Sequence, residues 1–178
     1  MALVCLALGV TLLLTTWLAL SMRGGLAGEN ALMRLSFWHE ALLLIRQHPL
    51  GIGLDQFLYY HNPAYGRSLL SQQELAAVDP TAAHPHNLIL DIWLRLGPLG
   101  IVAFAWLLLR FFRQARALGR TSQDTYTAAL ARGALAAMVA AIIHGLVDNF
   151  YFVPDIAFAF WLLLALVETS RTENIVPN

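Results

Sequence analysis

His84-Pro85-His86-Asn87 opens a stretch that continues through Asp91 and Arg95 to Gly97-Pro98-Leu99-Gly100, and it joins a long polar segment to a strongly apolar one. Asn87, Asp91 and Arg95 stand at i, i+4 and i+8, so on a helix they form one polar stripe continuing from His86. A plain helix entry would look similar, with Asn87 as the N-cap and Asp91–Arg95 as a local ion pair. Two histidines beside an asparagine at the mouth of a membrane helix also mark a candidate functional site, because titratable groups are costly there.

That the helix belongs in a membrane follows from composition. The chain has 178 residues, 58% of them hydrophobic and 12% charged. Soluble domains run at about 25% charged and about 45–50% apolar. Eleven acidic and eleven basic residues give a net charge of zero. No basic stripe with interleaved aromatics offers a nucleic-acid surface. The single cysteine, Cys5, excludes an internal disulfide and a cysteine-based metal site.

Working outward gives an all-α, polytopic membrane protein with about four crossings. Residues 1–22 read as the first, with Trp17 as an interfacial anchor. Residues 23–85 form a long loop carrying an amphipathic helix, from an N-cap at Asn30 to about Gln47, stopped ahead of Pro49. Residues 86–113 are the second crossing, with a protruding start and a kink expected at Gly97-Pro98. Arg110, Arg113, Arg116 and Arg120 crowd a short loop that ends at 127, cytoplasmic by the positive-inside rule. Residues 128–147 and 150–167 are the third and fourth crossings, the latter interrupted by Pro154-Asp155, and 168–178 are a polar tail. The long loop then lies outside the cytoplasm, where neither ATP nor a nucleotide sugar is at hand.

Several side chains in this frame invite a chemical reading. On the loop helix, Ser36, His39, Glu40, Arg46 and Gln47 gather on one side. Arg34 falls on the other, between Trp38, Ala41 and Ile45. Either it snorkels to water or it faces an anion in a cleft next to the membrane. Gly51 and Gly53, around Ile52, suit a tight turn with close backbone approach. Tyr59, Tyr60, His61, Tyr65 and Arg67 read as an interfacial aromatic belt or as the lining of a sugar or headgroup cleft, and Ser71 to Pro80 as a mobile surface segment. His144 and Asp148 stand at i, i+4, a structural pair more readily than a catalytic one.

His86-Asn87, nine residues, then Gly97-Pro98-Leu99-Gly100 resembles the signature of the O-antigen ligase and polymerase superfamily of bacterial membrane glycosyltransferases. His48-Pro49-Leu50-Gly51-Ile52-Gly53 with Phe57, and Arg34 with Trp38, are similar to two further hallmarks of that superfamily. The resemblance covers nearly the whole chain. It implies metal-independent transfer of an undecaprenyl-pyrophosphate-linked glycan, with His86 as catalytic histidine and Arg34 on the pyrophosphate. Asn87, His84, Trp38, Gly51, Gly53, Gly97, Gly100, His144 and Asp148 stand as supporting residues. The superfamily usually has ten or more crossings and a further essential arginine in a Ser-Arg-Gly motif, of which Ser21-Met22-Arg23-Gly24 is a loose echo. The chain therefore reads as the C-terminal part of a larger enzyme of the bacterial cytoplasmic membrane.

The residue types agree with this chemistry. Arginine is the natural clamp for a leaving pyrophosphate, and histidine supplies a base for an acceptor hydroxyl. The expected partners are a lipid-linked glycan donor, membrane lipids and an acceptor that is a glycan, a lipid A core or a protein; nucleic acid is not among them. No cofactor is expected. No metal is expected either, since His84 and His86 are two apart and share no helix face, although a loop could converge them. A transporter or flippase subunit, relaying protons through His144 and Asp148, and a non-catalytic membrane fragment are the competing classes. The internal repeats that would favour a transporter are not evident.

Overall fold

The computed structural model describes residues 26–76, 78–148 and 154–175; the first expected crossing and Cys5 lie outside them. The described residues are all helical, with six α-helices and no strand: α1 (Leu26–Gln47), α2 (Phe57–His61), α3 (Gln72–Leu75), α4 (Leu88–Thr121), α5 (Thr125–Gly145) and α6 (Pro154–Ile175). Of these, α4 and α5 are long and apolar enough to cross a membrane, and α6 carries a shorter apolar run, Ala157–Ser170. Leu99, Val102, Trp106 and Leu109 form an exposed apolar stripe along α4, a face suited to lipid or to further helices.

Several boundaries differ from those expected. The loop helix starts at Leu26, ahead of Asn30, and ends at Gln47 as the following Pro49 requires. The arginine-rich loop ending at 127 shrinks to residues 122–124, because α4 runs on to Thr121 and carries Arg110, Arg113, Arg116 and Arg120 as exposed residues of its last turns. Asp124 caps the next helix, accepting from the Tyr126 and Thr127 amides. Pro154 is the first described residue of α6, and the helix continues to Ile175 through most of the expected tail.

Helix α4 is organised by its break. Gly97 has φ 69° and ψ −165°, and Pro98 follows inside the helix. Proline has no N–H, so the carbonyl four residues back, that of Leu94, loses its helical partner. Two loop amides replace it: Ile52 N donates to Leu94 O at 2.7 Å and Gly53 N at 3.2 Å. Trp93 Nε1 donates to Pro49 O at 3.0 Å, fastening the same loop one residue earlier. Backbone meets backbone closely here. A Cβ on Gly51 (φ +92°) would stand 2.9 Å from the Trp93 and Leu94 carbonyl oxygens, and one on Gly97 would stand 2.4 Å from Leu50 O. The two glycine motifs are thus halves of one joint.

The joint carries a polar lobe with its own core. Phe37, Ala41 and Leu44 from α1 pack with Phe57, Leu70, Val78, Ala82 and Leu94. A second core, with Leu88, Ile92, Phe111, Ala134, Met138 and Phe160, holds α4, α5 and α6 together. The start of α4 contributes to both. Glu40, one of the residues gathered on the polar side of the loop helix, is fully buried in the lobe with His61. Its Oε2 is 2.6 Å from His61 Nδ1, while Oε1 accepts from Ser68 Oγ at 2.6 Å and Leu69 N at 3.3 Å. The segment read as mobile carries α3, started by a Ser71–Glu74 capping box.

His61 Nε2 faces the Asp79 carbonyl at 2.8 Å. A carbonyl only accepts, so Nε2 carries a proton, and a second must lie between Nδ1 and the Glu40 carboxylate. Burial works against the imidazolium, but the hydrogen bonds to Glu40 and Asp79 outweigh it, and His61 is raised above its usual 6.5. A group raised on folding stabilises fully below its unfolded value, and that contribution is lost as pH climbs through the folded value. Amide exchange at Leu69 should therefore accelerate as pH rises above 6.5, beyond the intrinsic pH effect. His61→Gln should remove that excess; an identical excess in the variant would contradict the assignment.

The glycine joint predicts unequal costs for similar substitutions. Gly53→Ala bears backbone strain at φ +98°, with its new methyl only in ordinary contact with Gln56 Cγ at 3.5 Å. That should cost about 1–2 kcal/mol. Gly51→Ala adds a backbone collision and should cost about 3 kcal/mol or more. Melting of the detergent-solubilised protein checks the order; equal losses would mean that the joint is looser than described.

Candidate active site

His86 is the last residue before the Asn87 cap and α4, and it adopts φ 50°, the left-handed region that non-glycine residues occupy only when their surroundings enforce it. Contacts on both flanks do so. Trp38 Nε1 donates to His86 O at 3.2 Å. The Phe37 ring lies 5.5 Å from the imidazole. Asn87 then accepts from Leu90 N at 3.1 Å through its side-chain oxygen, which is the expected N-cap. Its amide nitrogen donates to Leu146 O at 2.9 Å. Asn87 therefore starts one helix while gripping the end of another.

That grip brings in Asp148, two residues beyond Leu146. Backbone bonds from Val147 N and Asp148 N to the His144 carbonyl fix the turn after α5. The Asp148 carboxylate is 3.0 Å from His86 Nδ1 and 3.8 Å from Arg34 Nη2. All three side chains are about one-third exposed, so the cluster is open to a substrate. Arg34 thus has a carboxylate beside it, and Asp148 serves His86 and Arg34 from a position i, i+4 to His144. His144 itself is exposed at the end of α5. A contact across 62 residues leaves no trace in spacing; the only signal was an acidic residue at the end of an apolar run.

His84 lies behind His86, with ring centroids 4.4 Å apart. Its Nδ1 is buried without a hydrogen-bond partner. Burial and the adjacent His86 lower its pKa to about 4, so it is neutral at physiological pH. His84, His86 and Asp148 each offer a ligand atom within 4.8 Å of the others, a spacing that would admit a metal ion. The Arg34 guanidinium already stands beside the carboxylate, however, and a dication there would meet like charge.

The remaining sequence-derived candidates support this cluster from a distance. Gly51, Gly53 and Gly97 form the joint, and a Cβ on Gly100 would strike Leu96 Cβ at 2.3 Å. Asp91 and Arg95 make the expected pair, Arg95 Nε to Asp91 Oδ2 at 2.7 Å, but buried, and Arg95 also binds Asp55. The polar stripe is therefore internal structure. With Nδ1–H donated to Asp148, neutral His86 keeps a lone pair on Nε2, the tautomer a general base needs. The cluster thus offers a base, a carboxylate that orients it and an arginine for an anion.

A family model described as O-antigen ligase matches residues 1–105, which takes in Arg34, the glycine joint and the His86-Asn87 pair. No curated protein and no solved structure matches the chain. More than half of the sequence falls under the model, including the motifs around which the structure is built, and the chain belongs to the O-antigen ligase family.

Proposed function

We propose that this chain supplies the catalytic portion of a multi-pass enzyme that transfers a glycan from undecaprenyl pyrophosphate to an acceptor hydroxyl at the outer face of the bacterial cytoplasmic membrane. The observation that carries the proposal is the convergence of His86, Asp148 and Arg34 from three remote segments. Family membership suggests glycosyltransferase-like activity and, in general terms, a lipid-linked glycan and an acceptor. Helix α4 supports this side of the membrane: His86 precedes its first turn, and four exposed arginines occupy its last turns. Arginine clusters favour the cytoplasm, so the histidine end faces outward.

The chemistry follows from the geometry. His86 Nε2 takes the proton of the acceptor hydroxyl, and Asp148 holds the ring and stabilises the imidazolium that forms. The acceptor oxygen bonds to the anomeric carbon as the bond from that carbon to the pyrophosphate oxygen breaks. The electron pair leaves on undecaprenyl pyrophosphate, whose growing charge Arg34 meets with two parallel N–H bonds. In the free enzyme Arg34 stands against Asp148. Donor binding exchanges that partner and leaves the carboxylate to His86. A glycan, a lipid A core or a protein hydroxyl would each serve as acceptor. The reading needs no cofactor and no metal.

The test uses the full-length protein in membranes with lipid-linked oligosaccharide and a metal chelator, following release of undecaprenyl pyrophosphate. His86→Ala should lose about 10²–10⁴-fold in turnover while still inserting and accumulating. His144→Ala should fall much less; equal losses would contradict the roles assigned. Arg34→Lys separates clamp from snorkel, since a flexible ammonium reaches water as well as a guanidinium does but cannot make a fork. It should cost roughly 2–4 kcal/mol of transition-state stabilisation, on the order of a hundredfold or more in rate at saturating donor. Near-wild-type turnover would remove Arg34 from the site.

A further inference from the structure

We propose that the outer surface of the polar lobe carries a saccharide-binding subsite built by Tyr59, Tyr65, Arg67 and Gln56. These four side chains line a cavity of about 280 Å³. It is at the small end of ligand pockets, about 300–1,000 Å³, which fits one or two sugar rings rather than a lipid or a protein segment. The proposal rests on the reading of the chain as a glycosyltransferase and names where the glycan is held beyond the reacting unit.

The chemistry of the lining matches a pyranose. Tyr59 and Tyr65 have ring centroids 5.0 Å apart and planes tilted by 58°, so they form an open corner rather than a closed stack. Both are exposed, at 42% and 52%. A sugar offers one face of C–H groups for an aromatic ring and a rim of hydroxyls for donors and acceptors. Gln56 supplies both kinds of polar group and Arg67 supplies donors, while the tyrosines add hydroxyls beside their apolar faces. The Arg67 guanidinium lies 5.7 Å from the Tyr60 ring centre, which restrains it at the rim.

The corner is also preorganised, which a chance group of surface tyrosines would not be. Asn62 accepts from Ala64 N at 2.9 Å, Gly66 N bonds Pro63 O at 2.9 Å, and Gly66 turns the chain back with φ 63°. Both ends of this turn are tied to one buried carboxylate, through the Glu40 bonds to His61 and to Ser68. The holding cost is thus met inside the lobe before any ligand arrives. Position fits as well. Phe57 and His61 of α2 pack on Phe37, which lies against His86, while Tyr59 of the same short helix faces out.

The test needs no turnover. Full-length protein in nanodiscs is titrated with the oligosaccharide freed by mild acid from the host's own lipid-linked pool, and saturation-transfer NMR reads the sugar protons. Tyr59→Ala and Tyr65→Ala should each weaken binding about tenfold or more, and Tyr65→Phe, which keeps the stacking face, should weaken it less. His86→Ala should leave this binding in place, so a failed transferase reading and a failed subsite give different results. Unchanged sugar binding in both alanine variants would overturn the proposal.

Discussion

The unpaired carbonyl that Pro98 leaves on Leu94 is the constraint on which the rest of the structure depends. An unsatisfied buried carbonyl costs about 1–3 kcal/mol. The amides of Ile52 and Gly53 remove that cost by docking a loop onto the break. Only glycine at 51 and 97 allows the two backbones so close. Once docked, the loop fixes the polar lobe against the first turns of α4, and those turns begin just after His86. The kink and the glycine loop are one device for placing a lobe beside a helix mouth.

The lobe contributes from the other side. Helix α1 presents Phe37 and Trp38 to His86 and Arg34 to Asp148. One turn on, Glu40 closes a buried network with His61 and Ser68. Such a network is stabilising only when every partner is present, so its worth lies in specifying one arrangement of the lobe. The strained backbone of His86 is held by this packing on one flank and by the grip of Asn87 on Leu146 on the other.

Much of this was legible in the sequence, and the omissions have a physical pattern. Local signals held: Asn87 as a cap, Asp91–Arg95 as a pair, Gly97-Pro98 as a kink, Pro49 as the stop beyond α1. The helical class followed from apolar runs without strand-like alternation. Contacts between remote segments were not visible. Glu40 was grouped only with the polar residues of its own helix, because a helical wheel carries no sign of His61 and Ser68, which come from elsewhere. Asp148 was matched with His144 by spacing, which gives no sign of its contacts to His86 and Arg34, 62 residues away and further. The arginines were put in a loop because charge ends an apolar run, yet exposed arginines continue a helix without penalty.

The central claim is that Asp148 positions His86 for proton transfer rather than merely filling the turn after α5. Asp148→Asn keeps the shape of the side chain and removes the charge that holds the imidazole in its tautomer. Steady-state transfer from lipid-linked oligosaccharide by the full-length variant tests this directly, with turnover separated from apparent donor affinity. The account predicts a turnover loss on the order of a hundredfold or more, with melting temperature close to wild type and donor affinity equal or tighter, since Arg34 no longer has a carboxylate to exchange. Turnover within a few-fold of wild type would contradict it.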